Sequence, residues 1–364
     1  MSLPVYLYSS KTLQEWTPLT PWQTGIGGSE TAHIEMHKEL SKSMDVQSYA
    51  PLPRQGTIEN PFPGWLTSAK LPTNIPALII NYRDFALYDN DFAPGTKHWF
   101  IAQDVDYPWT EERLAKIDRY ITLCTDHSKF TLHKYPSLRG KVYQSSNGVR
   151  GEYINNLWEK NEIKRNPKQV IYASSPDRGL QLLLEQWWRV RERVPNAELK
   201  IAYGFENTNK IIELMGGRSA HHEGFREILT QLFNQPGVEW LGRLPQDKLY
   251  QEWFRSNVWA YPCNFAETSC ITCMDAQACG AVPITNNLWA LGDNVETKYC
   301  GVVFPEIPQN DILVRSYFIE EIISHLQFPV DNMDRADMAG EAIKKFDWSN
   351  IAAQWKNWIK EDTK

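Results

Sequence analysis

Two acidic residues, Glu267 and Asp275, stand eight positions apart around the start of an expected helix. Glu267 precedes this helix and Asp275 lies within it. The N-terminus of a helix presents backbone N–H groups without acceptors and the positive end of the helix dipole, so it attracts phosphate. At about 1.5 Å of rise per residue, the two acids lie roughly 12 Å apart along the helix axis. This spacing suits a nucleotide sugar, which carries a hydroxyl-rich sugar at each end of a diphosphate.

Structural roles for the same two acids remain open. Glu267 could cap the helix, and Asp275 could be a solvated residue on its surface. The neighbouring residues are Phe265, Ile271 and the small residues of 276–280. Because a solvated helix does not need such an apolar frame, the pattern favours a binding role.

A second candidate segment, Ser174-Ser175-Pro176-Asp177-Arg178, follows an expected strand. We expect Ser174 or Ser175 to cap the next helix, with Pro176 near its first position. Arg178 then falls in the first helical turn, where the helix dipole disfavours a cation. A bound anion would offset that cost, so the segment predicts diphosphate binding. A surface ion pair between Arg178 and Asp177 or Glu185 is the alternative.

A third candidate is a glycine-rich turn, in which Gly27 and Gly28 precede a helical pattern over residues 31–40. Glycine lets the backbone approach a phosphate closely and turn sharply into a helix. The turn lacks the Lys-Ser/Thr of a P-loop and the third spaced glycine of a dinucleotide fingerprint. Phosphate binding and a plain turn therefore both remain open.

Bulk composition limits the class of protein. The chain has 364 residues, which predicts two domains, and it contains no run of about 18 apolar residues that could span a membrane. Its formal net charge of -6 argues against a protein whose affinity depends mainly on nucleic-acid phosphates. Met1 to Ser10 lacks the basic and apolar regions of a signal peptide, so we expect a cytoplasmic location.

Six cysteines are expected to be reduced thiols, and four of them lie between positions 263 and 279. The pair Cys270-x-x-Cys273 could hold zinc. The usual cysteine-rich zinc sites combine two such pairs, whereas this sequence has one. The pattern therefore favours small thiols that pack on a buried helix.

Apolar runs typical of buried strands alternate with helical patterns, which predicts βαβ units and parallel sheets. We expect an α/β protein with two doubly wound, Rossmann-like domains that face each other across a cleft, and ligands at the carboxyl ends of the strands. The expected domains are residues 1–150 and 151–345, with a polar linker over 151–168. Residues 346–364 are expected to form a closing helix. The expected strands are 4–8, 46–49, 77–81, 98–102, 120–123, 142–144, 169–173, 198–203, 238–240, 258–261, 282–285 and 301–304.

Several of these segments together resemble a known family. Residues 267–283 resemble the acid-x7-acid segment, and the Ala-x-x-x-Gly-x-Pro that follows it, in retaining GT-B glycosyltransferases of family 4, also described as glycosyl transferases group 1. Residues 174–180 resemble the phosphate segment of this group, and residues 27–30 resemble its N-terminal glycine loop. Residues 146–149 resemble the turn that closes its first domain, and residues 238–243 resemble the segment that borders the nucleotide base.

The resemblance implies a GT-B fold and a metal-independent enzyme without a cofactor. Such an enzyme would transfer a hexose or related sugar from a nucleoside-diphosphate sugar, with a UDP- or GDP-sugar expected, to an acceptor hydroxyl with retained configuration. The donor-binding residues that it implies are Gly27, Gly28, Ser174, Ser175, Arg178, Gly242, Arg243, Glu267, Thr268, Ser269, Cys270 and Asp275.

The expected catalytic residues are Glu267, Arg178 and Asp104. Relatives commonly have a histidine in the region where this chain has Asp104, which is therefore expected to face the cleft; capping of a turn is the alternative. Asp275 is one methylene shorter than the glutamate that is usual at its position. The resemblance implies same-face attack, in which the leaving phosphate accepts the proton of the acceptor hydroxyl.

Two other functions fit the same segments: a nucleotide-sugar epimerase with the same fold and a noncatalytic nucleotide-sugar-binding protein. The acceptor is left open among a glycan, a lipid-linked sugar, a protein and a modified nucleic-acid base. The aromatic residues Trp99, Tyr107 and Trp109, together with Pro108, form a candidate acceptor wall.

Overall fold

A computed structural model describes residues 3–10, 12–53, 62–205, 209–210 and 220–364. The chain divides into two units, and we treat each unit by itself. Unit 1 comprises Met1–Gly148 and Phe346–Lys364, and unit 2 comprises Val149–Lys345. Each unit contains one parallel sheet and several helices.

The sheet of unit 1 has the strand order β3-β2-β1-β4-β5-β6-β7. Neighbouring strands among the described residues run parallel; for example, Leu7 of β1 pairs with Ser48 of β2 and Ile80 of β4. The chain builds outward from β1 to β3, then returns to the other side of β1 and builds outward again. The strands are β1 Val5–Tyr8, β2 Val46–Ala50, β3 Trp65–Thr67, β4 Leu78–Tyr82, β5 Lys97–Ile101, β6 Arg119–Thr122 and β7 Val142–Gln144.

Helices cover the sheet of unit 1, and this explains why its strands read as continuous apolar runs. All five residues of β4 are buried. The helices of this part are α1 Thr20–Gln23, α2 Gly28–Ser41, α3 Glu111–Ala115 and α4 Thr125–Lys134, with short 3₁₀ turns at Ser68–Lys70, Phe85–Asp89 and Pro136–Leu138.

The sheet of unit 2 has the strand order β10-β9-β8-β11-β12-β13, and its described neighbours also run parallel. The direction of strand addition reverses between β8 and β11, which are neighbours in the sheet. The strands are β8 Asn166–Tyr172, β9 Glu198–Ile201, β10 Val238–Trp240, β11 Ser256–Tyr261, β12 Val282–Asn286 and β13 Val302–Phe304.

The helices of unit 2 alternate with these strands. They are α5 Gly151–Lys160, α6 Leu180–Arg193, α7 Ala220–Phe233, α8 Gln246–Arg255, α9 Ile271–Ala278, α10 Ala290–Asn294, α11 Ile312–Gln327 and α12 Asn332–Phe346. None of the helices in the described ranges is long and apolar enough to cross a membrane.

A last helix, α13 Trp348–Asp362, returns the chain to unit 1 and packs against α2. Its apolar residues Ile351, Trp355 and Ile359 are buried in the core that β1 and β4 line. At its end, Asp362 accepts hydrogen bonds from the Trp99 indole at 2.7 Å and from the Arg119 guanidinium at 2.6 Å. Apolar packing and a charge-assisted contact therefore both attach α13 to unit 1.

The α/β fold class is confirmed, and each expected strand has a counterpart within a few residues. Strand β3, which lies at the edge of the sheet, was missed. The expected polar linker over 151–168 is wrong over its first part, where α5 forms. Its asparagines occupy the exposed face, Ile154 is buried, and Asn161 ends the helix in the left-handed conformation (φ 50°).

Candidate functional site

The candidate site of unit 2 lies at the carboxyl ends of β8 and β11, where the strand order reverses. Open α/β sheets bind ligands outside such a switch point, because the loops of two neighbouring strands diverge there. The loop after β8 carries Ser174 and Arg178, and the loop after β11 carries Glu267. Segments more than eighty residues apart in sequence therefore meet at one sheet edge.

Arg178 and Glu267 form an ion pair, with 2.8 Å between Nη1 and Oε1. The Glu267 side chain is 9% exposed and that of Arg178 is 30% exposed. The Arg178 guanidinium also stacks on the ring of Phe265, 3.9 Å from its centroid. Burial lowers the pKa of Arg178, but the charge of Glu267 more than offsets this effect, and its pKa stands raised. The guanidinium is thus a permanent cation whose position is fixed by its stacking on Phe265.

Tyr261 is a part of this site that the sequence analysis missed. Its hydroxyl donates to Oε1 of Glu267 at 2.5 Å and lies 3.1 Å from the hydroxyl of Ser174. The only sequence signal was its place as the last residue of a buried strand, six positions before a candidate acid. The main chain of Glu267 is also fixed, since its carbonyl accepts from the N–H of Ala290 at 2.9 Å.

The expected helix start at Ser174 or Ser175 is wrong, because α6 begins at Leu180 with Gly179 as its N-cap. Gly179 has φ +101°, and a Cβ at this position would lie 1.8 Å from the carbonyl oxygen of Pro262. Only glycine fits this turn. Arg178 therefore lies in the turn before the helix, and Glu267 compensates its charge.

Ser175 sits in the same turn and donates a hydrogen bond to Asp177. Its carbonyl oxygen accepts from the hydroxyl of Tyr172 at 2.8 Å. The backbone N–H of Arg178 also donates to this carbonyl at 3.0 Å. These contacts fix the turn that presents Arg178.

Thr268, Ser269 and Cys270 are buried and lead directly into α9, whose N-cap is Cys270. Side chains do not cap this helix, so Glu267 is not the capping acid of the structural alternative. Burial, followed by the charge of Glu267, raises the pKa of the Cys270 thiol well above its usual range. Cys270 is thus a packed, neutral thiol at the start of α9.

Asp275 belongs to a different network from Glu267. It is 4% exposed, so it is not the solvated helix residue of the alternative. Its Oδ1 accepts from the hydroxyl of Tyr250 at 3.0 Å. Burial, followed by the charge of Asp275, raises the pKa of Tyr250 well above its usual range, so this phenol stays protonated.

Gly242 and Arg243 follow β10, two strands away from β8 in the sheet. Gly242 adopts φ +66°, and the Arg243 guanidinium lies 6.0 Å from the centre of the Tyr203 ring. Tyr203 itself follows β9. These residues line the same edge of the sheet as Arg178 and Glu267.

In unit 1, Arg83 connects the glycine turn with Asp104. A Cβ at Gly27 would lie 2.6 Å from Oε2 of Glu30, so the Glu30 side chain folds back over the turn that leads through Gly28 into α2. Glu30 Oε1 lies 3.9 Å from the guanidinium of Arg83. Arg83 binds both oxygens of Asp104, at 2.8 and 3.2 Å. The sequence analysis missed Arg83, which has a left-handed backbone (φ 70°) directly after β4.

The candidate acceptor wall is wrong for two of its aromatic residues. Trp99 is fully buried and Tyr107 is 6% exposed. Both belong to cores of unit 1, where Trp99 packs on α13 and Tyr107 packs edge-on against Phe100 at 4.8 Å. Both aromatic side chains therefore fill the core of unit 1.

Among the described residues, no group of three or more His, Cys, Asp or Glu side chains is placed to hold a metal ion. In the cysteine cluster, burial raises the pKa of Cys263 to about 12 and that of Cys279 well above its usual range. Arg178 and Arg243 are two cations that the structure places at the sheet edge of unit 2.

Residues 154–325 match the family model described as "Glycosyl transferases group 1". This part of the chain is therefore similar to the group 1 glycosyl transferases. The matched part spans β8 to β13 and includes Arg178, Tyr261, Glu267 and Asp275. A comparison with curated proteins finds no match.

Solved structures show the GT-B fold over the whole chain. A sucrose-phosphate synthase from Thermosynechococcus elongatus has 14% identity and a TM-score of 0.68, with 99% of this chain and 98% of that chain covered. The catalytic domain of starch synthase IV from Arabidopsis thaliana, bound to ADP and acarbose, has 12% identity and a TM-score of 0.66, with both chains covered completely. HepE from Anabaena, in complex with UDP and glucose, has 12% identity and a TM-score of 0.62, covering 99% and 100%. At these identities the likeness concerns the fold.

Proposed function

We propose that this GT-B glycosyltransferase moves a hexose or related sugar from a nucleoside-diphosphate sugar to an acceptor hydroxyl, with retention of configuration and without a metal ion. One observation carries the proposal: Arg178 and Glu267 meet at the switch point of the sheet of unit 2. A cation for the diphosphate and an acceptor for sugar hydroxyls thus lie side by side.

Arg178 is our candidate for the diphosphate. Nη1 is bound to Glu267, whereas Nε is buried and has no hydrogen-bond acceptor among the described residues. A buried donor without an acceptor costs roughly 1–3 kcal/mol, which a phosphate oxygen would recover. A guanidinium binds phosphate oxygens through two parallel N–H groups. Arg178 can therefore bind an anion while it keeps its contact with Glu267.

Glu267 is our candidate for the donor sugar. Its contacts with Arg178 and Tyr261 both fall on Oε1. Oε2 accepts no hydrogen bond from the described part of the chain and remains for a sugar hydroxyl. The backbone of Thr268, Ser269 and Cys270 adds the positive end of α9 beside it.

The remaining donor contacts follow from position along the sheet edge. We propose that Gly242 and Arg243, after β10, border the nucleotide base, and that Asp275 contacts the ribose. Starch synthase IV and HepE are described with ADP and UDP, so nucleoside diphosphates are the ligands to test first.

The proposed reaction breaks the bond between the anomeric carbon and the leaving phosphate oxygen, and forms one to the acceptor oxygen on the same face. The acceptor proton passes to a leaving phosphate oxygen, which balances the step. Negative charge grows on the diphosphate as the bond breaks. A fixed guanidinium and the N-terminus of α9 would stabilise this charge, and preorganised groups of this kind lower such barriers most effectively. Because Arg178 supplies the cation, the step needs no metal.

Asp104, Gly27 and Gly28 remain predicted contributors from unit 1. Arg83 holds the Asp104 carboxylate through two hydrogen bonds, yet the Asp104 side chain is 48% exposed. A fixed and exposed carboxylate suits a residue that contacts substrate. Substitution of Asp104 tests this assignment separately from that of Arg178.

A thermal-shift screen with UDP-, GDP- and ADP-sugars tests the proposal. Binding to the native chain raises the melting temperature by an amount that grows with the logarithm of ligand excess over Kd, so one donor that shifts the protein identifies base and sugar together. That donor is then incubated with and without an acceptor panel. Transferred product supports the proposal. An epimer formed without acceptor supports the epimerase, and binding without turnover supports the noncatalytic protein; either result contradicts transfer.

A further inference from the structure

We propose that Tyr261 is a positioning residue, which holds the Glu267 carboxylate so that Oε2 is presented to the donor sugar. The inference rests on the proposed function and concerns the orientation of one of its groups. Tyr261 is the last residue of β11, in the middle of the sheet, and is fully buried. It lies behind Glu267 and does not contact solvent.

Two donors converge on a single oxygen of Glu267. The Tyr261 hydroxyl lies 2.5 Å from Oε1, and Arg178 Nη1 lies 2.8 Å from the same atom. Two directional contacts on one carboxylate oxygen fix the torsion of the carboxyl group. The position of Oε2 is thereby set before any ligand arrives, and preorganised groups of this kind act mainly by stabilising the transition state.

The hydrogen bonds that link Ser174, Tyr261 and Glu267 can each be given a direction. Burial, followed by the charge of Glu267, raises the pKa of Tyr261 well above its usual range, so the phenol keeps its proton. That single proton goes to Glu267, the charged acceptor. The contact at 3.1 Å with Ser174 must then have the Ser174 hydroxyl as its donor. Tyr261 therefore connects the loop after β8 with the carboxylate after β11.

Tyr261 and Arg178 differ in what a ligand does to them. The Arg178 side chain is partly exposed, and a diphosphate would bind to it directly, beside its contact with Glu267. The Tyr261 hydroxyl is sealed in the core and keeps its contact with Glu267 when the diphosphate binds. Tyr172, its neighbour at 5.6 Å, is equally buried but donates to the carbonyl of Ser175. Burial of a tyrosine at this sheet edge does not by itself produce the carboxylate contact.

The test compares Tyr261→Phe with Tyr88→Phe as a matched control. Tyr88 is 1% exposed and its hydroxyl donates to a backbone carbonyl of unit 1 at 3.3 Å. For donor turnover, we expect Tyr261→Phe to lower kcat about tenfold, which is about 1.4 kcal/mol, and to change the donor KM less than about threefold. Tyr88→Phe is expected to retain kcat within about twofold.

A second measurement needs no substrate. We expect Tyr261→Phe to lower the melting temperature by about 3–10 °C in the wild-type background, the loss of one hydrogen bond to a charged group. In a Glu267→Ala background the same change should have almost no effect. Equal losses in both backgrounds would overturn the contact, and a Tyr261→Phe variant with the kcat of Tyr88→Phe would overturn the positioning role.

The two measurements separate this inference from the proposed function. A wild-type chain that neither binds nor turns over any nucleotide sugar contradicts the proposed function, and with it the role of Tyr261 toward a sugar. The thermal cycle still decides whether Tyr261 holds Glu267. An active wild type with an unaffected Tyr261→Phe contradicts the positioning role alone.

Discussion

Gly179→Ala is the substitution whose cost the structure determines most sharply. Gly179 has φ +101°, a region in which an L-residue costs roughly 1–2 kcal/mol. The added Cβ would also lie 1.8 Å from the carbonyl oxygen of Pro262, which is backbone and cannot rotate away. Overpacking of this kind costs typically 1–3 kcal/mol. We therefore expect unit 2 to lose about 3 kcal/mol of unfolding free energy, or roughly 6–12 °C in melting temperature.

The same change should also weaken donor binding, because relief of the clash must move the turn that carries Arg178. Gly242→Ala is the matched control for stability: its φ is +66°, and no described atom lies within 4 Å of the added Cβ. Gly242→Ala should lower the free energy of unfolding by about 1 kcal/mol, because only the positive φ disfavours alanine there. Calorimetric unfolding measures both variants. Equal losses for Gly179→Ala and Gly242→Ala would refute the close approach between Gly179 and Pro262.

Three further predictions concern charge. Glu267→Gln should keep or tighten binding of a nucleoside diphosphate, since a negative charge beside Arg178 is removed, while turnover falls at least about tenfold. Calorimetric titration measures the binding and initial rates measure the turnover. Loss of diphosphate binding would contradict this prediction. Asp104→Ala should lower turnover at least about tenfold. Asp89→Ala is the control: it removes a similar bidentate contact with Arg113 and should change turnover less than about twofold. Equal turnover by the two variants would refute a role for Asp104. Burial lowers the pKa of His37 to about 4, below the unfolded value of about 6.5. The free energy of unfolding is therefore unaffected by His37 above pH 6.5 and falls as pH decreases toward 4, by about 2 kcal/mol at pH 5. Urea unfolding of His37→Gln should thus be less acid-sensitive than that of wild type.

The fold was predictable because parallel strands buried on both faces leave apolar runs that are visible without an alignment. Strands β8 and β11 are of this kind, whereas their adjacency in the sheet, which creates the switch point, was not predicted. Strand β3, Trp65–Thr67, was missed, and only its first residue is buried. Helix α5 was missed because its asparagines conceal a single apolar face.

In the site, residue types were easier to predict than their partners. Glu267 and Arg178 were expected as site residues, but an ion pair across 89 positions leaves no local signal. Tyr261 reads as the apolar end of a strand, and its hydroxyl acquires a role only when Glu267 folds back over it. The helix start after Arg178 was misplaced because the constraint on Gly179 comes from Pro262, in the loop after β11.

The most direct test of the central claim compares donor turnover by Arg178→Ala with that by Arg189→Ala. Arg189 pairs with Glu320 at 3.3 Å on the surface of α6 and its side chain is 25% exposed, close to the 30% of Arg178. A diphosphate site at the switch point predicts that Arg178→Ala loses at least about tenfold in turnover while Arg189→Ala stays within about twofold of wild type. Wild-type turnover by Arg178→Ala would contradict the site.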